Sequence, residues 1–333
     1  MKFLNIYILL ICGVIFSQTN NKFSVKNILI ENEYNVDSFF IGATLNHSQL
    51  KSPIEKLFLS EFTYSTPENC AKQAQIHPEP GIWRWSKLED YLKFANDNEI
   101  VLRIHGPVSP QASWWAKNDN RTKEELLINL NEFFTSLCIK INDNPAVKWM
   151  DVVNETVSRN GDWFAEKPGY KKWENPWTQI GLNDDGIPIY IIRAFEIANE
   201  FAPNISLVYN QHGGMEPLMW KRVLETILYL KNKGFKVDGI GWQAHLKDLE
   251  KLALNKEKLD FFTSIIDWSH RNGLDFHVTE MDYRINKENP SNQDIQRQAA
   301  AYSNIIKILI SRRNTGVVTF NTCLLYTSPS PRD

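Results

Sequence analysis

The chain has 333 residues, 43% of them hydrophobic and 12% aromatic, with a formal net charge of −2 at pH 7. That is enough apolar material for one full core, and α/β barrels of roughly 250 residues fold as single units, so length alone demands no second domain. Near-neutral charge with no basic stripe argues against a nucleic-acid surface, and the lack of an acidic block argues against a disordered tail. The 11 Trp residues are an excess. Indole faces suit stacking on sugar rings, and they equally suit an aromatic-rich core.

In chain order, the first element is an export signal. Lys2 supplies a positive start, and Phe3 to Phe16 is an apolar run interrupted only by Asn5. Ser17 is a small residue suited to cleavage before the polar Gln18-Thr19-Asn20. The run is too short to span a bilayer comfortably, and no later segment reads as a membrane span. Ile11 before Cys12 is too large for a lipoprotein site. Residues 1–17 are therefore read as a signal peptide. The mature protein is expected outside the cell, or in the periplasm of a Gram-negative host. Cys138 falls in a helical pattern and reads as a buried thiol; an export signal permits a Cys70–Cys138 pair without demanding one. No CxxC and no His/Cys metal spacing occurs.

Short apolar runs then alternate with amphipathic segments. The runs are 39–43, 62–64, 100–104, 147–153, 205–209, 237–242, 274–279 and 316–320, eight strands in all. Largely apolar runs suit parallel strands covered on both faces. Thr122 and Glu125 make a capping box, followed by an apolar helix face at Leu127, Leu130, Phe134, Leu137 and Ile141. A second helix over about 220–233 stops at Gly234, and a third from about Glu257 stops at Asn272-Gly273. Repeated strand–helix alternation predicts a parallel sheet, and eight units predict a closed (β/α)8 TIM barrel of class α/β. No Gly-rich phosphate loop follows the first strand, which counts against a dinucleotide-binding sheet. From Cys323 onward the pattern breaks, and 323–333 reads as a non-native tail. The barrel domain is placed at 18–322, lacking the end of its eighth unit.

In such barrels chemistry sits at the C-terminal ends of the strands. Those ends carry Glu68-Asn69-Cys70-Ala71-Lys72, His105, Asn154-Glu155, Asn210-Gln211-His212, Gln243-Ala244-His245 and Glu280-Met281-Asp282. Glycoside hydrolysis needs two carboxyl groups flanking the scissile bond, and the fourth and seventh strands lie roughly across the barrel. Glu155 and Glu280 are thus the candidate pair, with His245 available to orient Glu280. A lone Glu at a strand end can equally cap the next helix. Lys72 with Glu68 can be a surface ion pair, and His105 a core histidine.

Several ordered motifs resemble family 10 glycoside hydrolases, the xylanase family. Asp151-Val-Val-Asn-Glu155 resembles the end of W-D-V-V-N-E, and Val278-Thr-Glu-Met-Asp282 resembles I-T-E-L-D. Gly239-Ile-Gly-Trp-Gln-Ala-His-Leu246 resembles G-I-G-x-Q-x-H-L, and Glu68-Asn69-Cys-Ala-Lys72 is similar to E-N-x-x-K. The resemblance implies that Glu155 is the acid/base and Glu280 the nucleophile of a retaining endo-β-1,4-glycanase acting on xylan. It implies that Asn154 contacts the 2-hydroxyl at the cleavage point and that His105 contacts the same sugar. His245 would orient Glu280 with Asp282 in support, Gln243 would shape the pocket, and Asn210 would sit near the acid/base. Glu68, Asn69 and Lys72 would grip the next sugar on the non-reducing side. No cofactor or metal is required, and the partner is a polysaccharide met by a monomer. Where the family carries Trp-His, this chain has Ser109-Pro110, with Trp114 or Trp115 as stand-ins. That departure leaves open a decorated or mixed-linkage xylan, or another β-glycan. A non-catalytic carbohydrate-binding barrel is the alternative from another class.

Overall fold

The computed structural model describes residues 24–31, 38–169, 173–285 and 289–323. The export segment lies outside the described residues; of the expected tail 323–333, Cys323 ends the last strand, opposite Thr44, and 324–333 lie outside the described residues. In chain order the main elements are α1 (Val25–Glu31), β1 (Phe39–Leu45), α2 (Pro53–Glu61), β2 (Tyr64–Pro67), α3 (Gln73–Ile76), α4 (Ser86–Asp97), β3 (Val101–Ile104), α5 (Lys123–Ile141) and β4 (Val147–Asn154). Then come α6 (Ile189–Phe201), β5 (Ser206–Gln211), α7 (Pro217–Asn232), β6 (Gly239–Trp242), β7 (His245–Lys247), α8 (Lys256–Arg271), β8 (Asp275–Arg284), α9 (Asn292–Arg312) and β9 (Val318–Cys323).

Eight parallel strands close a barrel. β1 to β6 pair in sequence, β6 pairs directly with β8, β8 with β9, and β9 returns to β1 in register Phe39↔Val318. β7 is an extra three-residue strand against the far end of β8, with His245 opposite Asp282. Among the described residues no helix follows β9.

The helices follow from local chemistry. Both bonds of the Thr122–Glu125 capping box form at the start of α5. Leu130, Phe134, Leu137 and Ile141 are buried and Leu127 half-buried on the face that meets the sheet. The second and third expected helices are α7 and α8, and the glycines beyond their ends take left-handed backbone at Gly234 (φ 89°) and Gly273 (φ 68°). Cys70 and Cys138 are both buried free thiols, so no disulfide joins them. Burial pushes the Cys70 thiol up to about 12.

The second strand departs from its expected place. Phe62 belongs to the end of α2, where its N–H donates to Phe58 O at 2.8 Å. The strand is Tyr-Ser-Thr-Pro, whose three hydroxyl side chains are buried. Ser65 Oγ donates to Ala43 O at 3.0 Å, and Thr66 Oγ1 accepts from Arg103 at 3.3 Å. Polar partners inside the barrel replace the hydrophobicity that marks the other strands.

Candidate active site

The barrel interior is stratified. Near its N-terminal end Tyr64, Trp149 and Val208 form an apolar cluster against Phe40. Above them lies a polar layer in which buried Arg103 makes an ion pair with buried Asp151 and donates to Thr279 O at 2.9 Å. Burial alone would lower the Arg103 guanidinium's pKa; Asp151, Tyr64 and Glu280 together hold it above its ordinary range. On top of this layer stand the candidate catalytic groups.

Glu155 directly follows β4 and is buried, with φ +58°. Left-handed backbone costs a non-glycine residue about 1 kcal/mol, and three bonds hold it. Glu155 N–H donates to Asn210 O at 3.1 Å. Gln211 Oε1 accepts from Thr156 N–H at 3.1 Å, and Gln211 Nε2 donates to Val157 O at 2.6 Å. The turn aims the carboxyl inward, where Gln243 Nε2 donates to Oε1 at 2.7 Å and Asn154 Nδ2 lies 3.3 Å from the same oxygen. Its other oxygen, Oε2, lies 3.5 Å from His212 Nδ1.

Glu280 lies within β8 on the facing side. Its Oε1 accepts from Asn210 Nδ2 at 3.3 Å and stands 3.5 Å from His105 Nδ1. His105 Nδ1 is closer to Asp151, at 2.9 Å, and that carboxylate fixes the ring. On the other oxygen, His245 Nε2 lies 3.4 Å from Glu280 Oε2 while its Nδ1 bonds Asp282 Oδ2 at 2.6 Å. A carboxylate on each ring nitrogen sets the imidazole plane. The two glutamates are joined through amides. Asn154 Oδ1 accepts from Asn210 Nδ2 at 2.9 Å and from Gln243 Nε2 at 3.1 Å, and those amides also donate to Glu280 and Glu155 respectively.

Ala244 also has left-handed backbone, φ +57°. The reversal ends β6 and starts β7. It lets Gln243 turn to Glu155 while His245 turns to Glu280.

The Glu68–Lys72 segment follows β2. Lys72 is buried, and its Nζ donates to Asn69 Oδ1 at 2.9 Å and to Gln111 Oε1. Glu68 Oε2 accepts from Asn46 Nδ2 at 2.6 Å. The side chain of Asn210 is turned to Glu280 and Asn154; only its backbone carbonyl meets Glu155.

Three further residues belong to this constellation. His212 and Gln211 end the fifth strand but match no family motif, so only the fold relates them to Glu155 and the loop behind it. Trp177 is fully buried and donates Nε1–H to Ser109 O at 3.1 Å, pinning the loop that departs from the family pattern. Nothing in the spacing of Trp177 signals that contact. Trp115 packs on the core with the Arg121 guanidinium 4.5 Å above its ring, so it is a packing residue.

Comparison with known proteins agrees with this geometry. The sequence profile described as glycosyl hydrolase family 10 matches residues 30–323. The chain is 29% identical to endo-1,4-beta-xylanase A of Caldicellulosiruptor saccharolyticus over 82% of this chain and 78% of that protein. It is 29% identical to a beta-1,4-xylanase of Dictyoglomus thermophilum over 95% and 86%. The fold superposes on native xylanase 10B from Thermotoga maritima with a TM-score of 0.73 at 28% identity, covering 89% of this chain and 85% of that one. With a family match running from before β1 to the end of β9, and with Glu155 just after β4 and Glu280 within β8 joined through the same amides, the chain belongs to glycosyl hydrolase family 10.

Proposed function

We propose that this protein is a secreted, monomeric, retaining endo-β-1,4-xylanase, with Glu155 as acid/base and Glu280 as nucleophile. The observation that carries this reading is the pair of buried glutamates linked through Asn154, Asn210 and Gln243. The xylan assignment is supported by the named activity of the relatives, and secretion by the Lys2–Ser17 segment. In the first step Glu155 gives its proton to the glycosidic oxygen as that bond breaks. The Glu280 carboxylate attacks the anomeric carbon and forms a glycosyl ester. In the second step Glu155 takes a proton from water, the water oxygen bonds to the anomeric carbon, and Glu280 leaves as carboxylate. Two inversions give net retention. His105, Asn210 and His245 hold the nucleophile's orientation, which serves as preorganisation for attack.

Proton NMR of xylan hydrolysis by the complete protein tests this. The first product formed should be the β-anomer, and kcat of Glu280→Gln should drop by at least about 10⁴-fold. A first-formed α-anomer would contradict retention, and a Glu280→Gln variant as active as the parent would remove Glu280 from the mechanism. A second reading keeps the mechanism and changes the sugar, because Ser109-Pro110 stands where the family carries Trp-His. Products from plain, substituted and mixed-linkage xylans separate the two.

A further inference from the structure

The two-step mechanism leaves one group beside the acid/base without a task. His212 directly follows β5, and its side chain is 20% exposed. Its Nδ1 is nonetheless shut off from solvent and makes no hydrogen bond to any described residue. That nitrogen stands 3.5 Å from Glu155 Oε2. The surroundings fix the ring. Phe164 packs nearly perpendicular to it, with centroids 5.9 Å apart and planes at 83°, and Phe164 N–H donates to Thr156 O at 2.8 Å. Trp242 Nε1–H donates at 2.9 Å to the carbonyl of Gly213, the next residue.

The two oxygens of Glu155 are not equivalent. Oε1 accepts from Gln243 and Asn154, so the transferable proton belongs on Oε2, the oxygen that His212 faces. A protonated carboxyl oxygen is a poor acceptor, whereas a carboxylate oxygen is a strong one. A donor on Nδ1 therefore gains a bond only when Glu155 is ionised, and it favours that form. The neutral ring with its proton on Nδ1 and the imidazolium both offer this donor. Catalytic hydrogen bonds are often long in a free enzyme and tighten in its complexes. The other charged groups nearby keep separate partners. Glu280 is linked to Glu155 through Asn154, Asn210 and Gln243, and carries His105 and His245. On the loop side Lys167 Nζ lies 5.5 Å over the Phe164 ring, and Glu216 pairs with Arg159 at 3.2 Å. Substitution at 212 removes none of these.

We propose that His212 is a positioning residue for the acid/base: its Nδ1–H donates to Glu155 Oε2 when that carboxyl is ionised. The bond helps Glu155 give up its proton in the first step and holds it as an oriented base for water in the second. The inference rests on the reading of Glu155 as acid/base. It concerns a side chain outside every motif that carries the family resemblance.

The test compares parent, His212→Phe and His212→Asn as complete proteins, each checked for a parent-like thermal transition. Phe keeps a ring against Phe164 and lacks the nitrogen; Asn places an amide N–H where Nδ1 stands. Two pH profiles are read. On xylohexaose, the alkaline limb of kcat/KM reports the Glu155 proton in the free enzyme. On 2,4-dinitrophenyl β-xylobioside the leaving group needs no proton, so the acid limb of kcat reports Glu155 ionisation in the glycosyl-enzyme. Both limbs should move up by about one pH unit in His212→Phe, the size expected for losing one hydrogen bond to a charged group. Both should stay near the parent's in His212→Asn. Limbs that stay in place in His212→Phe overturn the proposal, even if the rate falls. So does an Asn variant that shifts as far as the Phe variant. Glu155→Ala separates the two readings. If it cleaves xylohexaose like the parent, the acid/base assignment itself fails; if it is inactive and the His212→Phe limbs do not move, only the role of His212 fails.

Discussion

Glycine at 239 and 241 is a consequence of what stands inside the barrel. A Cβ on Gly241 would lie 2.2 Å from Asn210 Oδ1, and one on Gly239 would lie 2.8 Å from His277 Nε2. Asn210 is the amide that reaches both Asn154 and Glu280, so Gly241→Ala must push it off the nucleophile. The variant should lose at least about tenfold in kcat along with 1–3 kcal/mol of stability, roughly the cost of overpacking a filled core. Steady-state kinetics and thermal melts would check this, and full activity at unchanged stability would refute it. The pairing of Glu155 with Glu280 was legible residue by residue, since each closes a short apolar run with a recognisable motif. The neighbours of Glu155 were not equally legible. Gln243 bonds it across the barrel and His212 approaches it from the next strand. Such contacts depend on two left-handed residues, Glu155 and Ala244, which no propensity favours at those positions.

At the scale of elements, β8 carries one carboxyl at its start and another in its middle. Glu280 faces the cleft, while Asp275 starts the strand at the opposite mouth of the barrel. There burial, reinforced by Asp238 and opposed by a hydrogen bond from Trp149 and the charge of Lys148, raises the Asp275 carboxyl to about 6. The folded state therefore holds this proton more tightly than the unfolded chain does. The resulting stabilisation is fully present below about pH 4 and is lost as pH rises through about 6. It is worth about 2–3 kcal/mol. Asp275→Asn keeps an acceptor for the Trp149 indole and removes the titration. The variant's Tm relative to parent should be about 5 °C more favourable at pH 8 than at pH 4; an equal difference at both would disprove the assignment. The start of α5 offers a simpler case. Thr122→Ala removes the side-chain bond to Glu125 N–H and should cost about 1 kcal/mol, or about 3 °C in Tm at this size. That helix could be read from its capping box and apolar spacing. β2 was displaced from its apparent place because Ser65 and Thr66 earn burial through partners on other strands, and a window of local sequence contains no such partner.

At the scale of the whole molecule, closure is the decisive event. β9 completes six register pairs with β1, and Asn321 Nδ2 inside the barrel bonds Thr44 Oγ1 at 2.9 Å and Thr279 O at 3.0 Å. Removing residues 316–333 should leave two parallel edges unpaired and exposed. The prediction is loss of a cooperative thermal transition by circular dichroism; a shortened protein that melts like its parent would contradict it. The eight barrel strands, their alternation with helices and the choice of the two candidate glutamates all follow from hydrophobic period, caps and short motifs, because these are properties of neighbours along the chain. The buried Arg103–Asp151 pair beneath the site, the amide bridge between the carboxyls, and the extra strand that brings His245 to Asp282 come from residues tens of positions apart. Only closing the barrel brings those groups within hydrogen-bonding distance.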